Sequence, residues 1–145
     1  MKAALMQTVI LLLLSAGAAA VTFRFHPRAP GLYLSEAPLR DDEVSMNEIQ
    51  ERWQGQVIWL DARPLEVFHK AHIPEARLLN EQDFNGQLFE LLDILQTTYK
   101  PVIIYCGGEK CEASRTIRKK LLEMVPLEHC YILKGGWPAW QAAVK

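Results

Sequence analysis

The segment Pro101-Val-Ile-Ile-Tyr-Cys106-Gly-Gly-Glu-Lys-Cys111-Glu-Ala-Ser114-Arg115 limits what this chain can fold into more than any other. Four residues of strand character, Val102 to Tyr105, run into a cysteine. A loop with two glycines follows, and then a helical pattern begins. This order puts Cys106 at the carboxyl end of a strand, facing backbone N–H groups at a helix N-terminus. The positive end of the helix dipole stabilises a thiolate there, or an anion bound beside it. The segment therefore suggests cysteine chemistry on an anionic or sulfur-bearing substrate. A cysteine buried as a small hydrophobe is the competing reading.

The 145 residues allow one domain of ordinary size, and the formal net charge is −1. No basic stripe with interleaved aromatics is present, so nucleic acid is not an expected partner. Cys106, Cys111 and Cys130 are an odd number and do not make a disulfide framework. Zinc is not expected either. The first pair is spaced C-x4-C and His129 adjoins Cys130, an awkward set for one tetrahedral ion.

Residues Ala3 to Phe23 carry no charge and include Val9-Ile-Leu-Leu-Leu-Leu14. Such a run is long enough to span a hydrocarbon core of roughly 30 Å. Arg24, His26 and Arg28 follow it. The expectation is a hydrophobic N-terminal helix over residues 1–23 that anchors the protein as a single-pass membrane protein. A secretory signal peptide is the alternative, because Ala18-Ala19-Ala20 fits a small-x-small cleavage site, and the product would then be secreted or periplasmic. Flanking charges on the two sides nearly balance and leave the orientation open. Residues 24–40, with Pro27, Pro30, Gly31 and Pro38, read as a juxtamembrane linker. Residues 41–145 remain for the folded domain.

Within that domain, Ser45-Met-Asn-Glu48 is a capping box that starts a helix running to about Trp53. Gln56 to Leu60 is an apolar run suited to a buried parallel strand, ending at Asp61. Pro64 can open a short helix through His69, and Ala76 to Leu79 reads as a short strand. Phe84, Leu88, Leu91, Leu92 and Leu95 recur at helical spacing. After the strand at Pro101–Tyr105, Ser114 can cap a helix whose Ile117, Leu121 and Met124 face inward. Cys130 to Leu133 is another strand, in which Cys130 serves packing. Gly135-Gly136 is a turn, and Trp137 to Val144 a last helix. Strands alternating with helices imply an α/β domain with a mostly parallel central sheet flanked by helices. Ligands bind beyond the carboxyl ends of strands in such sheets, where Asp61 and Cys106 both fall.

These pieces resemble the rhodanese-like domain. Leu60-Asp61-Ala-Arg63 with Glu66, Phe68 and His72-Ile73-Pro74-Glu75-Ala76 is similar to that family's D-x-R and G-H-I-P-G-A signatures. The strand–cysteine–loop–helix at Cys106 is the second block. Leu133-Lys-Gly135-Gly136-Trp137-Pro-Ala-Trp140 is close to the family's L-x-G-G-x-x-x-W ending. The resemblance implies transfer of sulfane sulfur from a small donor, thiosulfate or a persulfide, to a thiol or other thiophilic acceptor, with no cofactor. Cys106 stands at the nucleophile position. Gly107, Gly108, Glu109, Lys110, Glu112, Ala113 and Arg115 form the substrate-binding loop, with Lys110 and Arg115 as candidates to orient an anion. Asp61, Arg63 and His72 give structural support. Cys111 is a possible resolving thiol or alternative nucleophile.

The chain also departs from the family pattern. Ala71 and Glu75 stand where glycine is common, which implies a local rearrangement of that turn. Helix-like sequence resumes only near Ser114, which implies a loop longer than the usual six residues. Glu109 and Glu112 would repel a doubly negative donor. A catalytically silent module that binds a membrane protein partner, and a Cys106/Cys111 thiol–disulfide protein, are the other readings.

Overall fold

The computed structural model describes residues 38–108 and 112–144, together with 6–8, 10–15 and 17. The chain divides into two units, Met1–Pro38 and Leu39–Lys145. In the first, residues 6–8, 10–15 and 17 are helical, and Ile10 and Leu11 to Leu14 are exposed. The membrane-spanning helix expected over residues 1–23 is not supported. Among the described residues no helix is long and apolar enough to cross a membrane. Residues 18–37, including the candidate cleavage site and most of the linker, lie outside the described residues.

The second unit runs β1 (Glu43–Val44), α1 (Met46–Trp53), β2 (Ile58–Asp61), α2 (Leu65–Lys70), β3 (Arg77–Leu78), α3 (Phe84–Thr97), β4 (Val102–Tyr105), α4 (Glu112–Met124), β5 (Cys130–Leu133) and α5 (Gly136–Ala143). Its five strands form one parallel sheet in the order β1-β5-β4-β2-β3. Parallel strands carry helices on both faces and are buried on both, so β4 is apolar throughout and all four of its residues are buried. Alternation along it separates two cores. Val102 and Ile104 pack with Leu60, Leu88, Leu91, Ile117 and Leu121 beneath α3 and α4. Ile103 and Tyr105 pack with Val44, Ile49, Ile73, Leu133 and the tryptophans of α1 and α5. Each of these buried aliphatic side chains contributes about 1.5–3 kcal/mol relative to exposure.

The local signals act as their chemistry dictates. At Ser45 the hydroxyl accepts from the Glu48 amide at 3.2 Å, and Glu48 Oε2 accepts from the Ser45 amide at 2.9 Å. Both halves of the capping box are present.

Four features differ from the sequence expectation. Strand β1 carried no signal, because two residues are too few for a period and Glu43 is charged. In α4 the inward row is Ile117 and Leu121, continued just past the helix end by Val125, while Met124 is 59% exposed. Four-residue steps hold that face better than three-residue steps. The helix is already formed at Glu112, so Ser114 sits in its first turn rather than capping it. An acid in the first turn complements the dipole as well as a cap would. The segment between β4 and α4 is therefore no longer than residues 106–111, which corrects the expectation of an extended loop. The turn at Glu75 shows the fourth difference. Glu75 itself adopts φ +65°, the left-handed conformation glycine would supply, and Ala71 is extended at φ −167°. At Glu75 the left-handed conformation is thus kept, with its strain, although the residue is not glycine.

Candidate functional site

Cys106 follows β4 directly, at the carboxyl end of the central strand. Its side chain is nearly buried, and Sγ donates to the Gly108 carbonyl at 3.3 Å. Its own carbonyl accepts from the Trp137 amide at 2.7 Å. This second bond ties the start of the loop to the turn between β5 and α5. Gly136 makes the approach possible: a Cβ there would overlap the Cys106 carbonyl oxygen and come within 3.1 Å of the Gly108 nitrogen. Its φ of +55° excludes most side chains independently.

The loop residues are placed unevenly. Gly107 is exposed and Gly108 half-buried, and a Cβ on either would meet nothing within 4 Å among the described residues. Glu109, Lys110 and Cys111 lie outside the described residues. Ala113 packs against the α3/α4 core. Ser114 is fully buried, and its hydroxyl has no hydrogen-bond partner among the described residues. An unpaired buried hydroxyl costs about 1–3 kcal/mol.

Arg115 is turned toward β1. Its guanidinium is 2.6 Å from Glu43, 3.7 Å from Asp42 and 4.0 Å from Glu112. The Glu43 hydrogen bond and charge raise the arginine's pKa further. Partial burial pushes the Glu43 carboxyl up, but the Arg115 hydrogen bond, the Arg40 amide and their charges together bring it below its ordinary value. Arg118 donates through Nε to the Cys130 carbonyl at 2.8 Å and lies 4.0 Å from Asp42.

Asp61 and Arg63 form the second arginine–carboxylate pair, and this one is buried. Asp61 Oδ1 accepts from Arg63 N and Nε, both at 2.9 Å, and Oδ2 accepts from Arg63 NH2 at 2.6 Å. Arg63 also donates to the Ala71 carbonyl at 2.7 Å. Its guanidinium lies 4.5 Å from the Trp137 ring centroid and 5.3 Å from that of Tyr105. Burial pulls the Arg63 pKa down, and the Asp61 hydrogen bond and charge more than reverse that. Removing either partner would leave an uncompensated buried charge at a cost of about 3–5 kcal/mol. Burial, with the hydrogen bond to Asp61, also drives the Tyr105 pKa well above the usual phenol range. Tyr105 is therefore neutral, and its oxygen accepts from the Ile73 amide at 3.1 Å. His72 is exposed, stacks on Phe68 at 4.1 Å and bonds through Nδ1 to the Phe68 carbonyl.

Two supports were not legible in advance. Asn80 is buried, donates to the Arg63 carbonyl at 2.9 Å and accepts from the Gln82 amide at 3.0 Å. Asp42 and Glu43 hold Arg115. Both depend on contacts distant in sequence. A groove of about 680 Å³ runs between α2, β3 and α3, past Leu65, Phe68, Leu78 and Ile94. It shares no residue with the Cys106 loop.

A strand-end cysteine, a short loop, a buried Asp–Arg pair and a Gly–Gly–Trp turn closing on the loop define the class of site. A sequence model of the rhodanese-like domain matches residues 45–143. The match covers more than half of the chain, and the chain belongs to the rhodanese-like domain family. Solved structures are similar in fold. A protein from Bacillus halodurans is 22% identical over 70% of this chain and 72% of its own, with a TM-score of 0.55. The rhodanese-like domain of an Anabaena protein is 21% identical over 72% of this chain and 76% of its own, with a TM-score of 0.52. A thiosulfate sulfurtransferase from Pseudomonas aeruginosa is 25% identical over 74% of this chain, with a TM-score of 0.54. The match spans 20% of that enzyme's chain. No curated protein matches.

Proposed function

We propose that this protein is a sulfurtransferase that carries sulfane sulfur as a persulfide on Cys106 and passes it to a thiol or other thiophilic acceptor. The observation that carries the reading is the position of Cys106. It follows the central strand directly, opens the short segment leading into α4, and has its backbone held by the Gly136–Trp137 turn. Family membership and the thiosulfate sulfurtransferase among the similar structures support it. In the reaction, the Cys106 thiolate attacks the outer sulfur of the donor, the donor's S–S bond breaks, and the electron pair leaves with the remainder. With thiosulfate that remainder is sulfite. No general base is required if backbone N–H groups and the helix terminus stabilise the thiolate.

One observation favours a second reading, a silent binding module. The thiol donates to the Gly108 carbonyl, a bond that a thiolate cannot make. Catalysis therefore requires the sulfur to give up that acceptor. Intact mass of the reduced protein after thiosulfate or a persulfide separates the two. A gain of one sulfur, about 32 mass units, that disappears in Cys106→Ser supports the enzyme. A folded, reduced protein that gains nothing supports the module.

Membrane attachment through the uncharged run Ala3–Phe23 belongs to the same proposal and is carried by sequence alone. So does a membrane protein partner. Retention in the membrane fraction after alkaline extraction supports the anchor, and release into the soluble fraction removes it.

A further inference from the structure

Among the described residues, Ser114 carries the one buried side-chain polar atom that the fold leaves unpaired. The residue is fully buried and stands in the first turn of a 13-residue helix. Native structures seldom enclose such a group without a use for it. The backbone N–H groups of that first turn also lack partners within the helix.

Helix and strand register put the hydroxyl at the end of the sheet that holds Cys106. Along β4, Val102 and Ile104 enter the core beneath α3 and α4, and the two-residue repeat brings Cys106 to the same face. Along α4, Ile117 and Leu121 enter that core, and Ser114 lies three residues before Ile117 on the same side of the helix. Strands β4 and β5 are parallel neighbours, so the helix between them runs back against their direction. Its first turn therefore lies over their carboxyl ends. Ser114 is about 4.5 Å nearer that end than Ile117, and Cys106 about 6.6 Å nearer than Ile104. Side chains on a helix also lean toward its N-terminus, here toward the segment that opens with Cys106.

We propose that the Ser114 hydroxyl donates a hydrogen bond to the deprotonated sulfur of Cys106. Under the sulfurtransferase reading, on which this role in catalysis rests, that sulfur is the nucleophile. While the thiol is protonated it donates to the Gly108 carbonyl. Loss of the proton makes the sulfur an acceptor only. The Ser114 hydroxyl, already out of water, then gains a partner without giving one up. The bond favours the ionised form and lowers the pH at which Cys106 becomes nucleophilic. Ser114 keeps its own proton throughout, so the transfer of sulfur proceeds as written above.

The test is Ser114→Ala in the full chain. The rate of iodoacetamide alkylation at Cys106, followed by the mass of the peptide that carries it, gives the pH midpoint of thiolate formation. That midpoint should rise by about one pH unit over wild type. Alkylation and sulfur uptake from thiosulfate should both be about tenfold slower at neutral pH. Above both midpoints the difference should shrink to about twofold or less, where the thiol ionises without help. The urea midpoint should hold or rise, since the variant encloses no unpaired oxygen. An alkylation midpoint equal to that of wild type would overturn the proposal. So would an equal loss of rate at every pH with a lower urea midpoint, the mark of a hydroxyl that serves packing. A shifted midpoint in a protein whose wild type takes up no sulfur would defeat the sulfurtransferase reading and leave the Ser114–Cys106 bond standing.

Discussion

The two ends of the parallel sheet each hold a cysteine, and the pair shows what burial alone does not decide. Cys106 directly follows β4, Cys130 opens the neighbouring strand β5, and they are 3% and 4% exposed. Cys130 begins β5, at the amino end, packed against Leu60, Val102, Leu121 and Val125. Burial pushes its thiol pKa up to about 11, against a small opposing effect of Arg118. Cys106 lies at the carboxyl end, where the chain leaves the sheet and the next helix offers its N-terminus. Strand direction, rather than accessibility, makes one thiol a candidate nucleophile and the other a core residue.

The largest expected effect breaks that comparison if it fails. Cys106→Ser should reduce persulfide formation by about a thousandfold or more, since a hydroxyl is a far weaker nucleophile than a thiolate. Cys130→Ser should leave the rate within about twofold and instead cost about 1–3 kcal/mol of stability by burying a hydroxyl. Rates from intact mass and urea unfolding on both variants read the two effects separately. A Cys130→Ser protein that folds but no longer takes up sulfur would reverse the assignment.

Gly136→Ala comes next, because it strikes the backbone that seats Cys106. Its Cβ meets backbone rather than a flexible side chain, so the Cys106–Trp137 contact must open. A loss of about 2–4 kcal/mol, with slower sulfur uptake, is expected. Gly107→Ala, where nothing among the described residues crowds the new methyl, should cost less than about 1 kcal/mol. Equal losses at the two glycines would show that close approach is not what Gly136 provides.

At the other end of the sheet, Cys130 should make stability fall in alkali. A thiol whose pKa is higher folded than unfolded stabilises the protein fully below the unfolded value, near 8.5. That contribution disappears as pH rises through about 11. The loss accumulates between those two values and totals about 3 kcal/mol. Tyr105, also raised, adds a loss at still higher pH. Urea midpoints from pH 8 to 11 should decline more steeply in wild type than in Cys130→Ala. Parallel curves would mean that burial does not hold the thiol protonated.

How much of this was legible in the sequence follows from the range of the forces involved. The Ser45 box, the strand into Cys106 and the α3 stripe are set by neighbours within a few residues, and each lies within a residue or two of its expected place. Strand β1 exists only because Glu43 and Val44 pair with Ile132 and Leu133, almost ninety residues away. The commitment of Arg115 to Glu43 spans 72 positions. No local pattern encodes either, so Arg115 read as a loop cation when its charge is already matched. The extent of the loop was misread for a related reason. Ser114 has the chemistry of a cap, but its hydroxyl is enclosed by packing that the sequence does not display.

Glu75→Gly is the smallest effect, and it separates two constraints that coincide at Gly136. Both positions hold a left-handed backbone, at φ +65° and +55°. At Gly136 a side chain is excluded by crowding as well as by conformation. At Glu75 a side chain is tolerated, the residue is exposed, and conformation alone is at issue. Relief of left-handed strain is worth about 1–2 kcal/mol. The greater freedom glycine restores to the unfolded chain offsets about 0.4–1 kcal/mol of that. Glu75→Gly should therefore stabilise the domain by about 0.5–1 kcal/mol, read as a shift of the urea midpoint at unchanged slope, with sulfur uptake unaltered. A destabilised protein would mean that the Glu75 side chain supports the turn, and that the strain seen in the backbone is offset by contacts of the carboxylate.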